Sequence, residues 1–70
     1  MKKLNEIKVS LLKVGQEYTI MTDLGRLNEG DKVKVVSIMP WQGDVKITLV
    51  NEKGTRDYFI LDKNDEIDLD

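Results

Sequence analysis

The chain has no cysteine and no histidine. The first absence excludes a disulfide framework, a thiolate metal site and a cysteine nucleophile. The second removes the side chain that most often ligates metals or acts as general base near neutral pH. No segment approaches the roughly 20 consecutive apolar residues that a membrane-crossing helix requires. Residues 1–12 start basic but have neither a continuous apolar stretch nor a small-residue cleavage pattern, so they do not read as a signal peptide. Together with the lack of cysteine, which fits a reducing interior, this points to a cytoplasmic protein with no membrane contact.

What remains is ordinary globular material. The 70 residues, 40% hydrophobic and 34% charged, suffice for one core, so residues 1–70 read as a single domain. A core of this size leaves only a few kcal/mol of net stability, and natural proteins of such length often add a disulfide, a metal or a partner. With the first two excluded, a partner or a homo-oligomer is the remaining support. The net charge is −2, yet the acidic C-terminal segment 62–70 carries five acids against Lys63, which leaves the preceding body mildly basic. Nine lysines against two arginines suggest an AT-rich coding source, as in a small accessory protein of a low-GC bacterium or its phage.

Strand patterning dominates. In Asp44 to Asn51, Val45, Ile47 and Leu49 share one face while Lys46, Thr48 and Val50 take the other. Thr55 to Leu61 is apolar on both faces, Tyr58 and Ile60 against Phe59 and Leu61, and so is expected to be covered on both sides. Between them Asn51-Glu52-Lys53-Gly54 reads as a hairpin turn with a left-handed residue and a bulge. Asp31 to Met39, after the turn Asn28-Glu29-Gly30, alternates in one parity at Val33 and Val35 and in the other at Val36 and Ile38. That break requires a β-bulge or a strand passing between sheet faces. Glu17 to Thr22 and the pair Ile67 and Leu69 offer two shorter strands. Residues 1–12 form an ambiguous N-terminal extension: Leu4, Ile7 and Leu11 fit a helix face, whereas β-branched Ile7 and Val9 favour a strand.

Five or six short antiparallel strands in so short a chain must curl over their own apolar face. The expected fold class is therefore all-β, as a small barrel. The runs GDKVKVVSI, GDVKITLVNEKG, RDYFIL and DEIDL resemble the strand succession of SH3-like small barrels, including the Tudor and KOW-type modules. That resemblance spans roughly residues 17–69 and implies a fold rather than an activity.

No constellation marks a catalytic site, so the chain reads as a non-enzyme with no cofactor. The five glycines are isolated turn residues, forming neither a dinucleotide fingerprint nor a phosphate loop. The acidic run 62–68 fails the calcium-loop template, since Ile67 stands where the sharp turn needs glycine, and no metal site is expected. Two surface readings remain. Lys32, Lys34 and Lys46 project outward if Val33, Val35, Val45 and Ile47 point inward; with Arg56 they would make a phosphate-tracking strip for nucleic acid. Met39-Pro40-Trp41-Gln42-Gly43 reads instead as a loop carrying a tryptophan, a residue type enriched at energetically dominant interface positions. The favoured expectation is a protein-binding module using Trp41, Pro40, Tyr18 and Tyr58. Nucleic-acid binding through Lys32, Lys34, Lys46 and Arg56 is the alternative.

Overall fold

The computed structural model describes residues 6–70, with no account of the Glu6 side chain. Leu4, part of the N-terminal helix-or-strand ambiguity, lies outside them. The elements are β1 (Glu6–Lys8), a single 3-10 turn (Val9–Leu11), β2 (Glu17–Thr19), β3 (Lys32–Trp41), β4 (Asp44–Asn51), β5 (Arg56–Leu61) and β6 (Glu66–Asp68). The protein is all-β. No helix among the described residues is long and apolar enough to cross a membrane.

Every strand pairing is antiparallel. One sheet runs β2-β3-β4-β5 and the other pairs β1 with β6. An isolated bridge between Ile20 and Leu69 joins them, reinforced by Thr19 and Asp70 exchanging backbone hydrogen bonds at 2.9 Å in each direction. The pairings thus form a series from β1 through β6 and β2 to β5, and β1 and β5 are its two ends among the described residues.

The core lies on one side of this series. Ile20, Leu27, Val33, Val35, Ile47, Leu49 and Leu69 are fully enclosed, with Val9, Leu12 and Ile67 beside them. Period-two alternation puts Val33, Val35, Ile47 and Leu49 on one face of β3 and β4, so burying that set turns Lys32, Lys34, Lys46 and Thr48 outward.

Among the described residues the N-terminal strand covers Glu6–Lys8. The chain then tightens at Val9, which is buried, and leaves Leu11 exposed, so neither the helical nor the extended pattern runs through Leu11.

The irregularity in β3 is a bulge. Val35 pairs with Leu49 and Ser37 with Thr48, leaving Val36 as the extra residue. The bulge reverses parity, so Ile38 returns inward opposite Ile47 while Met39 and Trp41 face outward.

Pro40 and Trp41 belong to β3 and not to a loop, because the turn is only Gln42-Gly43. Both turn residues have positive φ, 49° and 87°, the geometry of a two-residue hairpin whose twist matches its strands. Such a turn makes Trp41 and Asp44 a hydrogen-bonded pair, so the neighbouring Pro40 directs its missing N–H away from β4. On that side the pairing with β2 ends at Lys34 and the backbone bonds of Gly15 and Gln16 end at Val35, short of Pro40, so no described acceptor there needs the donor.

The β4–β5 turn is as the sequence indicates. Gly54 has φ of 86°, Asn51 N–H donates to the Thr55 carbonyl at 3.0 Å, and the Asn51 side-chain oxygen accepts from the Lys53 and Thr55 amides. β5, however, is covered on one side only. Phe59 and Leu61 pack against the core, while Tyr58 and Ile60 are 56% and 42% exposed. The described chain has no second layer of structure to place over them.

Candidate functional site

Cross-strand pairing sets the outward residues of β3, β4 and β5 in rows. Lys34 lies opposite Val50, which lies opposite Arg56; Ser37, Thr48 and Tyr58 follow, then Met39, Lys46 and Ile60, and finally Trp41 with Asp44. Lys32 extends the first column, opposite Thr19 of β2, and Glu17 stands opposite Lys34. One face therefore carries a basic half and an apolar, aromatic half.

Four of the six large hydrophobic residues exposed among the described residues fall in the apolar half: Met39, Trp41, Tyr58 and Ile60. Lys46 sits at their centre, on the middle strand. Trp41 and Tyr58 are its diagonal neighbours on the two flanking strands, a spacing that long side chains bridge. Its ammonium lies over the Trp41 ring at 5.1 Å from the centroid and over the Tyr58 ring at 4.6 Å. At such partly exposed sites each contact is worth roughly 0.5–1 kcal/mol. Two rings and one cation thus hold each other in place without a buried core beneath them on that side.

At the basic end a shallow depression of about 260 Å³ is lined by Glu17, Lys32, Lys34, Val50 and Glu52, among others. Across the outer face four cations, Lys32, Lys34, Lys46 and Arg56, stand against three carboxylates, Glu17 and Asp44 on the strands and Glu52 in the turn beside the depression. The face is positive on a chain whose net charge is −2.

Of the residues expected to bind a protein, Trp41 and Tyr58 are brought together here. Pro40 is exposed but lies opposite Val45, on the other side of β3. Tyr18 pairs with Val33 and packs against the core, so it does not join this face. The four basic residues all do. Sequence reasoning missed Met39 and Ile60, and missed that Lys46 unites the aromatics. The signal was present: a two-residue turn at Gln42-Gly43 and a three-residue turn after Asn51 fix both registers, and the registers fix the rows.

The acidic run opens with a turn closed by its own side chains. Asp62 Oδ1 accepts the Asn64 amide at 2.8 Å, and Asp65 Oδ2 accepts the Asp62 amide at 3.1 Å. Asp62 and Asp65 thus close the chain between β5 and β6, as side chains of turn aspartates commonly do, while Asp68 Oδ2 accepts the Thr22 hydroxyl at 3.0 Å.

No family model, curated protein sequence or solved structure matches this chain.

Proposed function

We propose that the protein is a non-enzymatic binding module that holds a protein partner on the outer face of β3, β4 and β5. The observation that carries this reading is the clustering of Met39, Trp41, Tyr58 and Ile60, all exposed, around Lys46. Aromatic and methionine side chains are enriched at interface centres, where a few anchors supply most of the binding energy, and Lys46 serves here to hold the two rings in place. The strand succession supports reading the module as an SH3-like small barrel.

Nucleic-acid binding is the second reading, supported by the alignment of Lys32, Lys34, Lys46 and Arg56 on the same face. A single-stranded nucleic acid needs open ring faces for its bases to stack on. Lys46 already covers one face of each ring, and Met39 and Ile60 beside it offer aliphatic rather than planar contact. The protein reading accommodates both facts.

Affinity capture with matched variants tests it. Trp41→Ala and Tyr58→Ala, checked for an intact fold by amide NMR, are compared with Leu11→Ala, an exposed residue away from this face. The expected result is a protein retained by wild type and Leu11→Ala and lost from Trp41→Ala, a hot-spot loss of roughly 30-fold or more in affinity. Equal retention by all variants places the interface elsewhere. Recovery of nucleic acid in place of protein transfers the face to the second reading.

A further inference from the structure

Among the described residues the outer face ends at an open sheet edge: β5 pairs with β4 alone, and no backbone hydrogen bond reaches its far side from another strand. Which groups point there follows from the turn. Asn51 N–H donates to the Thr55 carbonyl, so Asn51 and Thr55 are a hydrogen-bonded pair. In an antiparallel ladder such pairs alternate, and the register carries the alternation to Leu49 with Asp57, Ile47 with Phe59 and Val45 with Leu61. The backbone groups of Arg56, Tyr58 and Ile60 therefore point away from β4. These same three residues direct their side chains onto the outer face.

One donor on this edge is guarded. Asp57 Oδ1 accepts the Tyr58 amide at 2.8 Å, while its Oδ2 accepts the Arg26 amide at 2.9 Å. A carboxylate laid on an edge is a means of discouraging indiscriminate pairing. It leaves the Arg56 and Ile60 amides and three carbonyls for a strand able to displace it.

We propose that an extended segment of the partner adds to β5 as a further antiparallel or parallel strand, a mode that rests on the outer face being the protein-binding surface. Backbone pairing supplies the affinity, and alternate side chains of the added strand continue the outer face. Charge complementarity defines the segment. Its outward positions carry an acidic residue beside Arg56 and apolar residues beside Tyr58 and Ile60, at every second position. The same charge argues against a second copy as occupant, because β5 pairing with β5 would set two positive faces side by side.

The probe is a nine-residue peptide, blocked at both ends, with glutamate and valine at alternate positions and threonine between them. It is compared with two versions N-methylated on alternate amides, one in each phase. Only one phase of amides faces β5 in a paired strand. One methylated peptide is therefore expected to bind roughly tenfold more weakly and the other to bind as the parent does. On adding the parent peptide, amide hydrogen exchange at Arg56 and Ile60 slows, while Asp57 and Phe59 are protected throughout.

If both methylated peptides bind as the parent does, and Trp41→Ala weakens all three, strand addition is overturned and the face survives as the binding surface. If millimolar parent peptide shifts no amide of β3, β4 or β5, strand addition is overturned; the capture experiment then decides separately for the face. Protection of Arg56 and Ile60 in the free protein, with a mass on sizing of twice 8.1 kDa, overturns it in favour of a second copy.

Discussion

The Lys46 ammonium stands 4.6 Å from the centre of the Tyr58 ring, although the two residues belong to different strands and are not directly paired. The contact is diagonal, and it recurs on the other side with Trp41 at 5.1 Å. Ring currents make this arrangement measurable. The side-chain protons of Lys46 are expected upfield of the other lysines in the NMR spectrum, and to move back toward them in Trp41→Ala and again in Tyr58→Ala. Lys46 protons at ordinary lysine positions would contradict the geometry from which the site is built.

The two sides of the sheet predict opposite consequences for one kind of substitution. Ile47 is wholly enclosed and Ile60 is 42% exposed, on adjacent strands. Ile47→Ala removes packed atoms from the core and is expected to cost about 2–5 kcal/mol. In a domain of this length that is a large part of the whole stability. Ile60→Ala is expected to stay within roughly 0.5 kcal/mol, as for other surface substitutions. Denaturant unfolding of both variants checks the pair, and a comparable loss from Ile60→Ala would mean that its side chain is covered.

Much of this sheet was legible in advance, and the parts that were not share a cause. The bounds of β4, the turn closed by Gly54 and the break in β3 follow from alternation and turn chemistry, because those signals are local. In the sequence alone, Pro40 and Gly43 suggest a loop framing Trp41. Pro40 sits instead in a strand where no neighbour needs its N–H, a fact visible only once the length of β2 is known. The expectation that β5 is covered on both faces failed for a related reason. Apolar alternation shows that Tyr58 and Ile60 share a face, but whether anything lies over that face depends on the rest of the chain. The bulge at Val36 had the largest effect on the site. By reversing parity it puts Met39 and Trp41 on the same side as Lys32 and Lys34, merging two surface features that the sequence presents as separate.

Gly25 is held where a side chain has no room. Its φ is +56°, and a Cβ there would run into the Asp57 carboxylate that accepts the Arg26 amide. Gly25→Ala is expected to destabilise the fold by roughly 1–3 kcal/mol and to loosen the turn around Leu24 and Leu27 from β5. Gly43→Ala also has positive φ but meets nothing within 4 Å, so it is expected to cost less. Thermal unfolding of the two variants decides the order, and an equal or larger loss from Gly43→Ala would contradict the contact.

Asp31 ties the turn before β3 to the end of β4. Its Oδ2 accepts the Asn28 amide at 3.0 Å and the Asn51 side-chain amide at 3.3 Å. These bonds, the Asn28 amide foremost, with Lys53 adding a weaker attraction, hold the carboxyl below its ordinary value of 3.8. A depressed folded value means that the stabilisation is fully present above the unfolded value and is lost as pH falls through the folded one. The carboxyl carbon of Asp31 is therefore expected to titrate below 3.8, and Asp31→Asn to lose that part of the acid dependence of stability. A titration midpoint at or above the ordinary value would contradict the hydrogen bonding.

We propose that the outer face of β3, β4 and β5 binds protein rather than nucleic acid. Amide NMR of the labelled protein tests it most directly, by titration with the glutamate–valine peptide and, separately, with a ten-residue oligothymidylate, each at low and at physiological salt. The predicted result is that the peptide shifts Met39, Trp41, Lys46, Tyr58 and Ile60 at both salt concentrations, while any shifts from the oligonucleotide vanish at the higher one. Shifts from the oligonucleotide that persist at physiological salt along Lys32, Lys34, Lys46 and Arg56, with none from the peptide, would contradict it.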